Sequence, residues 1–223
     1  MAVLNYKSRE INCKIVYFGP SLGGKTTSIK AIHSATPDCR RSALQTIQTE
    51  GDRTLFFDFF SIDLGEVGGM RIRFQVYGVP GEPFYRATRK IVLTGADGIV
   101  FVADSASHRV GDNIASYSDL KEMLSEHGLD YNEIPLVMQY NKRDLADKVS
   151  VDQLEFYLNE RKVPCFESIA MEGTGVREPF RAVCQTVVEK LNRNLMELSS
   201  QRRPAPSPNE PKPVCNSNDT MGR

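Results

Sequence analysis

The fold is indicated most strongly by the stretch Gly19-Pro20-Ser21-Leu22-Gly23-Gly24-Lys25-Thr26. It matches the pattern G-x-x-x-x-G-K-[ST] and lies between a strand-like and a helix-like hydrophobic pattern. A β-branched and aromatic run at residues 11–18 predicts a strand before it, and residues 26–34 have a helical pattern after it. Glycines in such a loop let backbone N–H groups face an anion, and the helix N-terminus adds its positive end. We therefore predict a phosphate-binding loop in which Lys25 reaches the β- and γ-phosphates and the Thr26 hydroxyl binds Mg²⁺. The remaining phosphate contacts are expected from Gly19, Ser21, Gly23, Gly24 and Thr27.

Strand and helix patterns alternate from residue 11 to residue 198. Apolar runs at 55–64 and 70–77, separated by a glycine-containing turn at 65–69, predict an antiparallel hairpin. Short strands are predicted at 99–103, 136–140 and 163–168, and helices at 84–93, 113–126, 151–160 and 176–198. This alternation predicts an α/β fold with a mostly parallel six-stranded sheet, one antiparallel edge hairpin and helices on both faces. Ligands of such sheets bind beyond the carboxyl ends of the strands, where the phosphate loop falls.

A second motif, Asn141-Lys142-Arg143-Asp144, directly follows the strand at 136–140. The Asp144 carboxylate can accept hydrogen bonds from N1–H and the exocyclic amine of guanine, a donor pair that adenine lacks, which selects guanine by about 1–3 kcal/mol. The Lys142 stem is expected along the base plane, and Asn141 is expected to tie this loop to the phosphate loop. After the next strand, Ser168 and Ala170 complete the predicted site, with the Ala170 N–H donating to guanine O6. Alone, N-K-x-D is also typical of a solvated turn; paired with the phosphate loop it predicts a guanine nucleotide site.

Together these motifs resemble the Ras-like small GTPases, and more narrowly the bacterial MglA family of polarity and gliding-motility GTPases. The narrower likeness rests on NY at 5–6, SREINCKIVY at 8–17, DRTLFFDF at 52–59, VPG at 79–81 and QYNKRDL at 139–145. It covers about residues 4–198. The resemblance implies a P-loop NTPase G domain over residues 1–199 that binds GTP or GDP with Mg²⁺ and hydrolyses GTP to GDP.

The resemblance also implies a switch region at about residues 45–54. There, Thr54 would bind Mg²⁺ and sense the γ-phosphate, so that hydrolysis releases the loop. Arg53 resembles the family's intrinsic arginine finger, which stabilises charge on the transferring phosphoryl group and contributes roughly 10³–10⁵ in rate where it is used. A solvated loop charge is the alternative for Arg53, since arginines are commonly exposed.

The second switch departs from the family pattern. Small GTPases usually have Asp-x-x-Gly-Gln here and MglA proteins resemble Thr-Val-Pro-Gly-Gln, whereas this chain has Gly78-Val79-Pro80-Gly81-Glu82. Gly78 offers no side chain to the metal, and Gly81 can still turn its N–H toward the γ-phosphate. The Glu82 carboxylate would face an anionic γ-phosphate, which is expected to push it aside or to raise its pKa.

Ser21 is a third departure, because these proteins usually have a glycine at this loop position. A Cβ and a hydroxyl there are expected to crowd the closing arginine finger and the catalytic glutamine position. Misplacement by about 1 Å costs on the order of 10²-fold in rate. We therefore expect intact nucleotide binding but slow hydrolysis, with Lys25, Arg53 and Glu82 as the catalytic set.

Composition excludes several other classes of protein. The 28 Lys+Arg residues balance 28 Asp+Glu, which argues against a nucleic-acid binder. No apolar run is long enough to span a membrane, no signal peptide is evident, and the five cysteines are widely spaced, which indicates reduced thiols in the cytoplasm. Met1-Ala2 does not fit N-myristoylation and Cys215 does not fit a prenylation site, so no direct membrane anchor is expected. Localisation at a cell pole would then depend on protein partners.

Two further segments carry expectations. Residues 200–223 are predicted to form a proline-rich disordered tail, since residues 201–223 contain five of the twelve prolines and no aromatic residue. Arg86, Arg89 and Lys90, after the second switch, are expected on a solvated helix face, with an acidic partner surface as the alternative.

The sequence thus predicts a GTP-hydrolysing switch that recruits effectors. The resemblance implies control of cell polarity and motility, with a roadblock-type GTPase-activating partner. Two alternatives remain: a non-hydrolysing GTP-bound scaffold, and a P-loop kinase or ATPase, which would not require the guanine-specific Asp144.

Overall fold

The computed structural model describes residues 3–5, 8–48, 56–67 and 69–201. Within these ranges the strands are β1 (Val3–Asn5), β2 (Glu10–Phe18), β3 (Gln45–Gln48), β4 (Phe56–Val67), β5 (Met70–Gly78), β6 (Gly98–Asp104), β7 (Leu136–Asn141) and β8 (Cys165–Glu167). The α-helices are α1 (Lys25–Ala35), α2 (Arg86–Leu93), α3 (Val110–Glu126), α4 (Val151–Leu158) and α5 (Arg177–Gln201). Short 3₁₀ turns lie at Asp38–Arg40, Pro83–Tyr85 and Ser107–Arg109.

All eight strands form one sheet with the order β3-β4-β5-β2-β6-β7-β8, and β1 pairs with the start of β2. Strands β5, β2, β6, β7 and β8 are parallel, and β4 is antiparallel to β5. The predicted α/β fold class is confirmed. The structure adds β1 and β3, which have three and four residues and are too short to display a period of two. Because β3 pairs with β4, the predicted hairpin is not at the edge of the described sheet.

The hairpin turn is also tighter than predicted, since β4 continues to Val67. The register of β4 against β5 shifts between Asp63 and Gly65, which indicates a β-bulge, and β4 then continues to pair with β5. The division into a domain at 1–199 and a tail at 200–223 stays a prediction. Helix α5 runs to Gln201, and residues 202–223 lie outside the described part of the chain.

Helices cover both faces of the sheet because the central strand alternates its side chains between two cores. Ile15 and Tyr17 of β2 pack in the core formed with α1 and α5, whereas Val16 and Phe18 pack with α2, α3 and α4. Of the helices in the described residues, none has both the length and the apolar character required of a membrane span.

The parallel strands bring the predicted site residues to one edge. Strand β2 ends at Phe18, β5 at Gly78 and β7 at Asn141, and their carboxyl ends share this edge because the strands run in the same direction. The phosphate loop follows β2, the second switch follows β5 and the base loop follows β7. The fold therefore assembles the candidate site from three segments that are far apart in sequence.

A tight contact between β6 and α5 yields a stability prediction. A Cβ at Gly98 would lie 2.8 Å from Cγ2 of both Val183 and Val187. Gly98→Ala would therefore push α5 away from the sheet, and we expect it to lower the free energy of unfolding by about 1–3 kcal/mol. Chemical denaturation followed by circular dichroism measures the effect.

Gly111→Ala is the matched control, because Gly111 lies in α3 with open space around its Cα. Alanine is a better helix residue than glycine, so this variant should raise the free energy of unfolding by about 0.5–1 kcal/mol. Equal denaturation midpoints for the Gly98→Ala variant and the wild type would contradict the packing account.

Candidate functional site

The phosphate loop has the conformation that anion binding requires. Gly24, directly before α1, has a φ of +101°, which favours glycine. A Cβ on Gly24 would lie 2.0 Å from Nδ2 of Asn141, so glycine is also required by the close approach of the base loop. Thr27 lines the cavity of about 250 Å³ beside this loop. The lining also includes Leu22, Gly24, Lys25, Thr26, Asp58, Gly78, Val79, Pro80, Gly81 and Glu82.

Lys25 is buried in the phosphate loop, with 6% of its surface exposed. Its Nζ donates hydrogen bonds to the carbonyl oxygens of Gly19 at 2.9 Å and Pro20 at 2.6 Å. Burial lowers the pKa of Lys25 to about 8, although the nearby carboxylates of Glu82 and Asp58 favour the charged form. The ammonium group thus lies within the loop, where the motif predicts it.

Asp58 supplies a carboxylate that the sequence analysis missed. It is 3% exposed on β4, and its Oδ2 accepts a hydrogen bond from the Thr26 hydroxyl at 2.6 Å, while Oδ1 accepts from Thr46 at 2.9 Å. Asp58 pairs directly with Gly78 in the sheet, and a Cβ on Gly78 would lie 3.5 Å from Asp58 Oδ2. Gly78 has no side chain, so the carboxylate beside this position comes from Asp58 on the neighbouring strand. A lone aspartate among the phenylalanines of β4 is the sequence signal that could have identified it.

Ser21 and Glu82, two of the predicted departures, contact each other. The Ser21 hydroxyl donates to Glu82 Oε1 at 2.6 Å. Burial disfavours the charged carboxylate, but the bond from Ser21, a backbone N–H and the charges of Lys25 and Arg89 outweigh it, so the pKa of Glu82 lies below its ordinary value. The protein's own groups thus stabilise the ionised form of Glu82.

Gly81 packs against the phosphate loop at the same point. A Cβ there would lie 2.2 Å from the Ser21 nitrogen and 2.4 Å from the Pro20 carbonyl carbon. The second switch therefore contacts the phosphate loop through its main chain as well as through Glu82.

Arg89 corrects the expectation of a solvated face. It is 3% exposed, whereas Arg86 and Lys90 are partly exposed and pair with Glu126. The guanidinium of Arg89 donates to the Glu82 carbonyl oxygen at 2.6 Å and to Asp119 Oδ2 on α3 at 3.1 Å. Arg89 therefore connects the second switch to α3 from inside the protein. The expectation of exposure holds for Arg86 and Lys90, whereas the packing of α2 against α3 buries Arg89.

Asn141 provides the predicted link between the two nucleotide loops. Its Nδ2 donates to the Gly23 carbonyl oxygen at 2.9 Å, and its Oδ1 accepts from the Ala170 N–H at 2.9 Å and from the Ser168 hydroxyl at 3.1 Å. The Ala170 N–H that was expected to face guanine O6 thus already has an acceptor. Its role toward the base stays a prediction.

Lys142 and Asp144 of the base loop differ in their contacts. Lys142 Nζ donates to Oδ2 of the buried Asp104 at 2.6 Å, which fixes the end of its side chain. Asp144 is exposed, and in the described part of the chain its carboxylate has no hydrogen bond or ion pair. Asp104 also lies 3.7 Å from Nε of Arg109, whose Nη2 donates to the Ser21 carbonyl oxygen at 2.6 Å. Arg109 is a second residue that the sequence analysis missed, because nothing local marks it as a neighbour of the phosphate loop.

Two predicted residues, Arg53 and Thr54, lie outside the described residues. The other predicted site residues, in the phosphate loop, the second switch and the two base segments, meet at one edge of the sheet. A larger cavity of about 580 Å³ lies between α1, β4, β5 and α5, and none of the described site residues lines it. Geometry therefore supports the smaller cavity as the phosphate side of the site.

Comparison with known proteins gives a consistent result. The family model of the ADP-ribosylation factor family matches residues 1–187. Mutual gliding-motility protein MglA of Myxococcus xanthus (strain DK1622) is 47% identical over 193 residues, which are 86% of this chain and 99% of that protein. Ras-related protein SEC4 of Saccharomyces cerevisiae is 28% identical over 60% of this chain and 61% of its own length. Ras-related protein Rab-8B of Pongo abelii is 27% identical over 63% of this chain and 67% of its own length.

Small GTPases of this kind bind guanine nucleotides and hydrolyse GTP. The phosphate loop, the base loop and their link through Asn141 are the parts that this activity needs. On this geometry and this similarity together, the chain belongs to the ADP-ribosylation factor family and is a Ras-like small GTPase of the MglA type.

Proposed function

We propose that this GTPase is a cytoplasmic switch with slow intrinsic hydrolysis, which controls cell polarity and motility by recruiting effectors in its GTP state. The observation that carries the nucleotide part is the Asn141 amide, which joins the phosphate loop at Gly23 to the base segment at Ala170. Such a link holds a phosphate site and a base site at a fixed separation, as a nucleotide requires. The polarity and motility part is supported by the printed name of the relative, mutual gliding-motility protein MglA.

Guanine specificity is proposed to come from Asp144. Its exposed carboxylate accepts hydrogen bonds from N1–H and the exocyclic amine, while the Lys142 stem lies along the base. Ser168, 2% exposed, holds Asn141 in place and takes part indirectly. A P-loop kinase or ATPase would not need this carboxylate.

Asp144→Asn tests the base assignment. An amide cannot accept from both donors of guanine, so we expect GTP affinity to fall by about 10–100-fold and xanthosine triphosphate to become the preferred ligand. Competition of GTP, ATP and xanthosine triphosphate against a fluorescent nucleotide measures this preference. Competition by ATP as strong as that by GTP in the wild type would contradict the proposal.

Magnesium is proposed to bind at the Thr26 hydroxyl with Asp58 beside it. The hard oxygen donors of a threonine and a carboxylate 2.6 Å apart fit this ion, which prefers oxygen ligands. Thr54, the further metal ligand implied by the family, belongs to the same proposal. The bound ion neutralises charge on the β- and γ-phosphates. Asp58 thereby takes the part that Gly78 cannot, so Gly78 does not by itself weaken the metal site.

Asp58→Asn is expected to weaken Mg²⁺ binding by about 10–100-fold, since an amide lacks the negative charge that attracts the ion. Release of a fluorescent GDP analogue measures this without turnover. In the wild type, a chelator should accelerate release; in the variant, release should already be fast and should change little on chelation. Asp63→Asn, on the same strand but partly exposed and paired with Arg71, is the control and should behave as wild type. Equal chelator sensitivity of the Asp58→Asn variant and the wild type would exclude the assignment.

Hydrolysis is proposed to use Lys25 and Arg53 to stabilise charge on the transferring phosphoryl group, with Glu82 at the position that orients water. In this chain Glu82 is an anion bound to Ser21, so it is poorly suited to face an anionic γ-phosphate. A roadblock-type GTPase-activating partner would then be needed to complete the site. Polar localisation is proposed to follow from such partners.

The glutamate at position 82, where the family usually has glutamine, also favours a second candidate function, a GTP-bound scaffold that does not hydrolyse the nucleotide. Turnover separates the two candidates. A measurable single-turnover rate supports the switch, and its complete absence with any partner supports the scaffold.

Glu82→Gln and Ser21→Gly test the origin of slow hydrolysis. Glu82→Gln removes the charge and Ser21→Gly removes the crowding. In each variant we expect single-turnover hydrolysis of bound GTP to be about 10–100-fold faster. Glu178→Gln is the matched control, because it removes an exposed glutamate on α5 outside the site. If neither variant hydrolyses GTP faster than the control, crowding and charge are not the cause.

A further inference from the structure

The two side chains by which this chain departs from its family at the phosphate side form a direct pair. Ser21 and Glu82 are 61 residues apart in sequence, yet the hydroxyl and the carboxylate meet at 2.6 Å. The hydrogen bond joins the phosphate loop to the second switch. Neither partner could form it if the chain had a glycine at position 21.

Arg109 holds the Ser21 half of the pair. Its Nη2 donates to the Ser21 carbonyl oxygen at 2.6 Å, and its guanidinium also pairs with Asp112 and with the buried Asp104. Because Asp104 and Asp112 flank the same guanidinium, Arg109 has a defined orientation. Ser21 is therefore fixed through its main chain independently of its contact with Glu82.

Arg89 holds the Glu82 half. Its buried guanidinium donates to the Glu82 carbonyl oxygen at 2.6 Å and is connected to α3 through Asp119. Gly81 adds van der Waals contact, since it approaches Ser21 so closely that a Cβ would not fit. Both halves of the pair are thus held by arginines that do not belong to the nucleotide motifs.

The position of the pair gives it a consequence for the nucleotide. The Glu82 carboxylate lies near enough to Lys25 for each to influence the other's ionisation, and Lys25 is the residue that reaches the β- and γ-phosphates. A third phosphate brings further negative charge to this end of the site, where it meets a carboxylate that is already hydrogen-bonded. A diphosphate ends before that point and leaves the pair intact.

We propose that the Ser21–Glu82 pair is a specificity-determining element that disfavours the third phosphate, so that this GTPase binds GDP in preference to GTP. The inference rests on the proposed guanine nucleotide site and extends it. Binding of GTP requires the hydrogen bond to break and the second switch to leave the phosphate loop. Removing either side chain lowers that cost, and removing both adds little, because the two act as one unit.

Calorimetry with GDP and with a non-hydrolysable GTP analogue, both with Mg²⁺, tests the proposal. The wild type should bind GDP at least about tenfold more tightly than the analogue, the lower end of what a hydrogen bond to a charged group contributes. Ser21→Ala keeps the Cβ but removes the hydroxyl, and Glu82→Gln removes the charge. Each should reduce the GDP preference by about fivefold to tenfold, mainly by tightening binding of the analogue. The double variant should resemble the better single variant.

Glu178→Gln is again the control and should leave the preference unchanged, and near-constant GDP affinity shows that each variant is folded. Equal affinities of the wild type for GDP and the analogue would overturn the proposal. So would variants that keep the wild-type preference, or effects of the two single changes that simply add. Absence of GDP binding by the wild type would instead overturn the proposed nucleotide site itself, so the two failures are distinguishable.

Discussion

The buried amide of Asn141 is the interaction on which the rest of the site depends. One side chain donates to the Gly23 carbonyl oxygen and accepts from the Ala170 N–H and the Ser168 hydroxyl. Because Asn141 is 2% exposed, any of these groups left unpaired would carry a desolvation cost of about 1–3 kcal/mol. The amide therefore holds together three segments that follow three different elements. This one amide satisfies hydrogen-bonding groups of both loops and sets the separation between them.

Two arginines outside the nucleotide motifs hold the second switch and the phosphate loop. Arg89, buried between α2 and α3, fixes the main chain at Glu82, and Arg109 fixes the main chain at Ser21. Between them lies a serine–glutamate hydrogen bond where the family usually has glycine and glutamine. This chain keeps the binding motifs of a small GTPase and has a different pair of side chains where the second switch contacts the phosphate loop.

The carboxylate beside Thr26 comes from β4, the strand next to β5. Gly78 ends β5 without a side chain, and its partner across the sheet, Asp58 of β4, brings Oδ2 to the Thr26 hydroxyl. Antiparallel pairing makes this arrangement possible, since directly opposed residues of two strands are neighbours whose Cβ atoms lie about 4.5–5.5 Å apart. A carboxylate thus lies beside Thr26 although Gly78 has no side chain.

The sequence by itself determined the α/β fold, the phosphate loop at 19–26 and the base loop at 141–144, because each follows from residue types within a few positions of one another. Periodicity likewise located the five helices and the core strands, but it missed β1 and β3, which are too short to display it. Tertiary structure alone decided that Asp58 faces Gly78, that Arg89 is buried and that Ser21 bonds to Glu82. Those contacts depend on strand register and on the packing of α2 against α3, which join residues that no local pattern relates.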